Sequence, residues 1–150
     1  MEEPIEQKSS IEIDSGPVLR VLQAEDDVSI RMPVGRFFDL EKIEHVACST
    51  AMQAEEVFEA ENHNFNVLLT DYDMPGMKGS ELIVALKKKK PELMSILLSG
   101  RAEGDEQVRK ELGETNYDYY LTKPITFETL NNILQKIKTK LKEKESEELV

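Results

Sequence analysis

Five charged or hydroxyl side chains stand at or directly after the ends of apolar runs, where a side chain is free to do chemistry. Glu25 and Asp26 follow the run VLRVLQA, Asp71 follows NVLLT, Ser99 ends MSILLS and Lys123 follows YDYYLT. If these runs are neighbouring parallel strands, their carboxyl ends meet at one edge of a sheet, which is the edge that binds ligands in such folds. The sequence therefore predicts a site with three carboxylates, one hydroxyl and one ammonium.

The close approach of three carboxylates needs a physical explanation, because two like charges about 4 Å apart repel by about 4 kcal/mol at an effective dielectric near 20. A divalent cation supplies one, and Mg²⁺ prefers oxygen ligands from a few carboxylates. An aspartate carboxylate beside the cation can accept a phosphoryl group covalently. Lys123, Ser99 and backbone amides could then contact the phosphoryl oxygens. We expect Mg²⁺, with Mn²⁺ as a substitute, and phosphoryl transfer to Asp71.

The elements that must position these groups follow from the hydrophobic pattern. Five apolar runs of strand length alternate with five segments of helical spacing. The runs occupy residues 18–24, 43–48, 66–70, 94–99 and 117–122, and the segments occupy 28–40, 51–62, 80–90, 104–112 and 126–144. The strongest runs are nearly continuous, which indicates strands covered on both faces. This alternation predicts the α/β class, with a doubly covered parallel sheet.

The first helical segment contains a proline, Pro33, in its first half. A proline in a helix interior costs about 3 kcal/mol, and much less in the first turn, where amides lack partners anyway. The segment therefore predicts a helix that starts late or is kinked near Pro33.

Composition limits the class of protein. The chain has 150 residues, 30 acidic against 19 basic side chains and a formal net charge of -11, which disfavours direct nucleic-acid binding. A single cysteine cannot form an internal disulfide, and we expect no membrane contact and a cytoplasmic location. We interpret residues 1–17 as a flexible acidic leader, 18–142 as one folded domain and 143–150 as a polar C-terminal tail.

Four motifs in order resemble those of response-regulator receiver domains of two-component phosphorelays. They are VLQAEDD, LLTDYDMPGMKG, ILLSGR and YYLTKP. The resemblance extends from about residue 18 to residue 141, and its specificity lies in the order and spacing of all four motifs. It implies a flavodoxin-like, doubly wound sheet of five parallel strands in the order 2-1-3-4-5, with five helices.

The resemblance also implies roles for the acidic residues. Asp71 corresponds to the phosphoacceptor, which also binds the metal. Asp26 corresponds to the acid that binds Mg²⁺ directly, and Glu25 to its partner that acts through water. The backbone carbonyl of Asp73 would be a further metal ligand.

The remaining motif residues correspond to the switch. Ser99 and Lys123 match the hydroxyl and the lysine that contact the phosphoryl group. Pro124 would fix the peptide bond that positions this lysine, with a cis geometry as an option. Tyr120 stands where the family keeps its switch aromatic. The family uses phosphorylation to shift a protein-interaction face formed by the fourth helix, the fifth strand and the fifth helix.

The resemblance implies a signalling switch that catalyses only its own phosphorylation and dephosphorylation. The phosphodonor would be a sensor histidine kinase or a histidine phosphotransfer protein, and the output a downstream protein target. We expect a stand-alone regulator, with homodimerisation on phosphorylation as an option. An alternative is a haloacid-dehalogenase-like phosphatase, whose Asp-x-Asp pair Asp71 and Asp73 would satisfy; a receiver-like module that binds partners without phosphorylation ranks lower.

One departure from the family pattern suggests a further contact. Asp73 and Arg101 lie two positions after the acceptor and after the hydroxyl, respectively. We hypothesise that they pair across the mouth of the site and hinder the hydrolytic water; two solvated charges are an equal alternative.

Overall fold

The computed structural model describes residues 16–149. Residues 1–15, which form most of the predicted leader, lie outside the described residues. The strands are β1 (Arg20–Ala24), β2 (Glu44–Cys48), β3 (Val67–Asp71), β4 (Met94–Ser99) and β5 (Tyr119–Thr122). The helices are α1 (Val28–Leu40), α2 (Ala51–Ala60), α3 (Gly79–Lys89), α4 (Glu106–Leu112) and α5 (Phe127–Leu149).

The five strands form one parallel sheet in the order β2-β1-β3-β4-β5, so the predicted fold class and strand order are confirmed. The strand β3 is buried along its whole length, as the continuous apolar run predicts. The register aligns the strand ends, pairing Ala24 with Thr70, Asp71 with Leu98 and Ser99 with Thr122. The residues that follow these strands therefore emerge at one edge.

Two apolar layers cover the two faces of the sheet. On one face α1 and α5 pack through Phe38, Leu134 and Ile137. On the other face α2, α3 and α4 pack through side chains that include Phe58, Leu86 and Val108. Helices on both faces are what a parallel sheet requires, because both of its surfaces are apolar.

Helix α1 differs from its prediction. It begins at Val28 and contains Pro33 in its interior, so the predicted late start was wrong, and the alternative, a kink near Pro33, stays a prediction. The side chain of Asp27 fixes the start by accepting a hydrogen bond from the Ser29 amide at 2.9 Å. The second half of the helix, including Phe38, packs into the core, and this packing offsets the loss of the one backbone hydrogen bond that a proline cannot donate.

Helix α5 is the longest helix, with 23 residues, and it runs through most of the segment interpreted as a polar tail. Its apolar stripe ends at the half-buried Leu141, and the following side chains up to residue 148 are exposed. No helix among residues 16–149 combines the length and the apolar character needed to cross a bilayer.

Candidate functional site

Three carboxylates meet at the carboxyl edge of the sheet. Carboxylate oxygens of Glu25, Asp26 and Asp71 all lie within 4.8 Å of one another. Glu25 and Asp71 are buried, with 1% and 3% of their surface exposed, whereas Asp26 faces solvent. The structure thus brings Glu25 and Asp26, which follow β1, together with Asp71 at the end of β3.

The β1–α1 loop is held by backbone and side-chain contacts that set the acids in place. The Glu25 amide donates to the Cys48 carbonyl at 3.0 Å, extending the pairing of β1 with β2. Glu25 Oε2 accepts from the Asp27 amide at 3.1 Å. The guanidinium of Arg31 donates to the Glu25 carbonyl at 2.8 Å, so the first turn of α1 clamps the loop from the other side.

Lys123 reaches into the acid cluster from the end of β5. Its Nζ lies 2.9 Å from Asp71 Oδ1 and 3.8 Å from Glu25 Oε1. Its amide donates to the Ser99 carbonyl at 2.7 Å, and the peptide to Pro124 is cis. The lysine is therefore anchored by its backbone to β4 while its ammonium pairs with the end of β3.

Ser99 and Tyr120 meet at the β4–α4 loop. Ser99 is buried, and its Oγ accepts a hydrogen bond from the Arg101 amide at 3.1 Å. The half-buried Tyr120 donates its hydroxyl to the Arg101 carbonyl at 2.6 Å. Arg101 thus links the hydroxyl at the site to the aromatic ring on β5.

The hypothesised pair between Asp73 and Arg101 is not formed. Asp73 pairs with Lys78 at 3.3 Å, and Arg101 pairs with Glu111 at 3.0 Å. Each charge finds a partner in its own neighbourhood, Lys78 in the loop after β3 and Glu111 on α4. The structure therefore contradicts the hypothesis that an Asp73–Arg101 ion pair closes the entrance to the site.

Burial and mutual repulsion disfavour the charged forms of the inner acids. Burial, followed by the charge of Asp71, raises the pKa of Glu25 to about 7. Burial likewise raises the pKa of Asp71, against the opposing hydrogen bond and charge of Lys123. Burial opposes the charged form of Lys123, but its contact with Asp71 and the nearby acids leave its pKa raised.

These residues fit a divalent cation. Glu25 Oε1 is buried and has no hydrogen-bond partner within the described part of the chain. A buried carboxylate oxygen without a partner is costly, and a hard cation with oxygen ligands would satisfy it directly or through water. The donor set is all oxygen, which suits Mg²⁺ or Mn²⁺ better than a softer metal.

The raised pKa of Glu25 predicts how stability depends on pH in EDTA. Between the ordinary value of 4.5 and about 7, the folded protein binds a proton that the unfolded chain does not. This stabilisation is complete below pH 4.5 and is lost as pH rises through 7. We expect the free energy of unfolding in urea to fall by about 2 kcal/mol from pH 5.5 to pH 8.

Two comparisons check the source of this pH dependence. Glu25→Gln removes the titrating group, so its stability should change much less over the same range. Saturating Mg²⁺ should also flatten the wild-type curve, because a cation favours the charged form. A wild-type curve that rises towards pH 8 in EDTA would contradict the prediction.

Several residues at the site were missed by sequence reasoning. A Cβ on Gly79 would overlap the Asp71 carbonyl oxygen and lie 3.1 Å from Thr70 Oγ1, so this position requires glycine. The signal was present, since Gly79 ends the motif LLTDYDMPGMKG. Arg31, Tyr72 and Glu111 carried no such signal, because their roles depend on which chain segments meet.

The fold and the site together define a flavodoxin-like α/β protein with an acidic cluster and a lysine at the carboxyl ends of its strands. The model of the response regulator receiver domain family matches residues 21–135. The chain therefore belongs to the family of response regulator receiver domains, and the resemblance seen in the motifs is confirmed.

Curated relatives from bacteria and plants match the chain over part of their length. The chain is 29% identical to a cyclic di-GMP phosphodiesterase of Thermotoga maritima over 112 residues, 75% of this chain and 29% of the relative. It is 30% identical to the two-component response regulator ARR10 of Arabidopsis thaliana over 137 residues, 89% of this chain and 24% of the relative. The chain thus spans about a quarter to a third of these proteins.

Solved structures of isolated receivers match almost end to end. A CheY-like receiver domain protein from Methanospirillum hungatei has 30% identity and a TM-score of 0.66, with 87% of this chain and 99% of that chain covered. The chemotaxis protein CheY4 of Vibrio cholerae has 25% identity and a TM-score of 0.66, with 80% and 98% covered. The domain resembles CheY-like receivers throughout its described core.

Proposed function

We propose that the chain is a phosphoacceptor of a two-component signalling system and that Asp71 takes the phosphoryl group. The observation that carries the proposal is the position of Asp71. It is buried at the end of the central strand, its carboxylate is 2.9 Å from the Lys123 ammonium, and it shares an acidic cluster with Glu25 and Asp26. Membership of the receiver family supports the same role.

The acidic cluster would hold Mg²⁺, or Mn²⁺ in its place. Asp26 and Asp71 would bind through carboxylate oxygens, the backbone carbonyl of Asp73 would add a ligand, and Glu25 would act through water. A bound divalent cation supplies positive charge that offsets the repulsion among the acids and the charge of an incoming phosphoryl group. The buried Glu25 Oε1, which accepts no hydrogen bond from the described residues, supports this assignment.

Lys123 and Ser99 would contact the oxygens of the phosphoryl group on Asp71. The Lys123 ammonium already lies at the Asp71 carboxylate, so it is placed to neutralise charge on a phosphoryl oxygen. The Ser99 hydroxyl is placed at the end of β4, next to β3, and would turn towards a second oxygen. The domain would thus catalyse only its own phosphorylation and dephosphorylation.

The interaction face would consist of α4, β5 and α5. Its coupling to the site is supported by the contacts of Arg101, whose amide donates to Ser99 and whose carbonyl accepts from Tyr120. A shift of Ser99 on phosphorylation would therefore move Arg101 and change the hydrogen bond between the Arg101 carbonyl and Tyr120 on β5. Two packings of this face, biased by the phosphoryl group, would form the switch.

A sensor histidine kinase or a histidine phosphotransfer protein would donate the phosphoryl group, and a protein target would read the switched face. We further propose a cytoplasmic domain that can homodimerise on phosphorylation. The two-component response regulators among its plant relatives support the two-component context.

Incubation of the full chain with acetyl phosphate, with Mg²⁺ or with EDTA, tests the proposal by intact-mass spectrometry. One phosphoryl group per chain should appear with Mg²⁺ and be nearly absent with EDTA. Multiple-turnover hydrolysis of a small phosphoester would instead revive the haloacid-dehalogenase-like alternative, which the family match and the strand order do not favour.

Removal of a proposed metal ligand gives a separate prediction. Asp26→Asn should weaken Mg²⁺ binding at least about tenfold, because it removes a charged oxygen ligand while leaving the buried acids in place. Isothermal titration, or Mn²⁺ titration followed by EPR, measures the affinity. Asp39→Asn is the matched control, since Asp39 pairs with His45 at the other end of α1. Equal affinity in both variants would contradict the assignment of Asp26.

A further inference from the structure

Helix α4 has a small apolar anchor. It contains seven residues, and its buried side chains are Val108 and Leu112. A helix of this length gains little stability from its own hydrogen bonds. The position of the helix therefore depends strongly on polar contacts made by its other side chains.

Glu111 makes the contacts that tie α4 to the rest of the domain. Its Oε1 accepts from the Tyr72 hydroxyl at 2.6 Å and from Arg101 Nη2 at 3.0 Å. Its Oε2 accepts from Gln107 Nε2 at 2.9 Å. The hydrogen bond from Tyr72, followed by that from Gln107, lowers the pKa of Glu111 to about 2, so the bridging group is a carboxylate at neutral pH.

Tyr72 provides a fixed point beside the proposed acceptor. It directly follows Asp71, and its ring is buried. Its amide donates to the Leu98 carbonyl at 2.8 Å, and its carbonyl accepts from the Gly79 amide at 2.9 Å. Since both sides of its backbone are held, Tyr72 cannot follow α4, and the hydrogen bond to Glu111 holds α4 to the end of β3.

Arg101 forms the other end of the same bridge, on the β4–α4 loop. Its amide donates to Ser99 Oγ, and its guanidinium donates to Glu111. A rotation of Ser99 towards Asp71 therefore pulls on a loop that Glu111 restrains. The Arg101–Glu111 pair is partly exposed, so the hydrogen bond from the buried Tyr72 is the stronger of these two contacts of Glu111.

We propose that Glu111 is a positioning residue: by bridging Tyr72 and Arg101 it holds α4 and the β4–α4 loop as they are here, and it opposes the rearrangement that brings Ser99 to the phosphoryl group. The inference rests on the proposed function, because the rearrangement matters only when Asp71 carries that group. Breaking the bridge makes the phosphoryl-binding arrangement easier to reach.

Glu111→Gln and Tyr72→Phe test the bridge, singly and together, in the full chain. Glu114→Gln is the matched control, because it removes the same charge from an exposed position just after α4. Titration with beryllofluoride and Mg²⁺, followed by NMR, measures affinity for a phosphoryl mimic. Each single variant should bind about five- to tenfold more tightly than wild type, and the double variant no more tightly than the better single one, since both break one bridge.

Hydrogen exchange of the α4 amides, without beryllofluoride, gives a second readout that does not depend on phosphorylation. The amides of α4 should exchange about five- to tenfold faster in both single variants, with β1 and β3 unchanged. Unchanged exchange, unchanged or weaker mimic binding, or additive effects in the double variant would overturn the role of Glu111. Failure of the wild type to bind the mimic would instead overturn the proposed function. The hydrogen-exchange measurement would still test whether Glu111 holds α4 in place.

Discussion

Asp71→Asn is expected to abolish phosphorylation by acetyl phosphate, leaving the intact mass of the chain unchanged after incubation with Mg²⁺. An amide is a poor nucleophile and cannot form the acyl phosphate. Asparagine is nearly the same size as aspartate, so the variant should fold. It also removes one of the repelling charges from the cluster, and its stability should equal or exceed that of wild type in EDTA.

The control for this experiment is Asp39→Asn, which changes the same chemical group at the far end of α1 and should take up one phosphoryl group as wild type does. Peptide mapping of the phosphorylated wild type should place the group on the peptide that contains Asp71. Full incorporation in Asp71→Asn, or modification of Asp26 instead, would refute the assignment of the acceptor.

Gly79→Ala is expected to lower the free energy of unfolding by about 3 kcal/mol or more. A Cβ at this position would overlap the Asp71 carbonyl oxygen and crowd Thr70 Oγ1. The overlapped atom belongs to the backbone of the central strand, so it cannot move aside as the end of a flexible side chain could. The start of α3 must therefore shift away from β3, against its buried contacts at Leu82 and Ile83.

Urea unfolding followed by circular dichroism measures this loss of stability. Gly104→Ala is the control, because a Cβ there would meet no atom within 4 Å and the position requires no left-handed backbone. A stability change within about 0.5 kcal/mol is expected for that surface position. Equal stability of the two variants would show that α3 tolerates the extra methyl group.

Much of the fold could be predicted from local pattern. Continuous apolar runs predicted the buried strands, and the predicted bounds of β4 agree with the structure. Spacing predicted five helices, and the resemblance to receiver domains implied the strand order that the structure confirms. The acids of β1 and β3 meet because parallel strands end at one edge, which is a property of the fold class and therefore readable from the sequence.

Contacts that depend on competition between partners could not be predicted in this way. Asp73 and Arg101 have suitable charges and spacing, yet each finds a nearer partner once the loops take shape. The late start predicted for α1 was wrong because a cap at Asp27 and core packing outweigh the local cost of Pro33. The roles of the site residues in metal binding, phosphorylation and switching stay predictions.

The length of α5 has a mechanical consequence. Its first half is packed against the sheet through Leu130, Leu134 and Ile137, while residues 142–149 continue as helix beyond that contact. This overhang extends about 12 Å at 1.5 Å per residue, so a tilt of about 10° at the packed half would displace its tip by about 2 Å. A small reorientation of the packed half would therefore move the end of α5 further than the packed half itself.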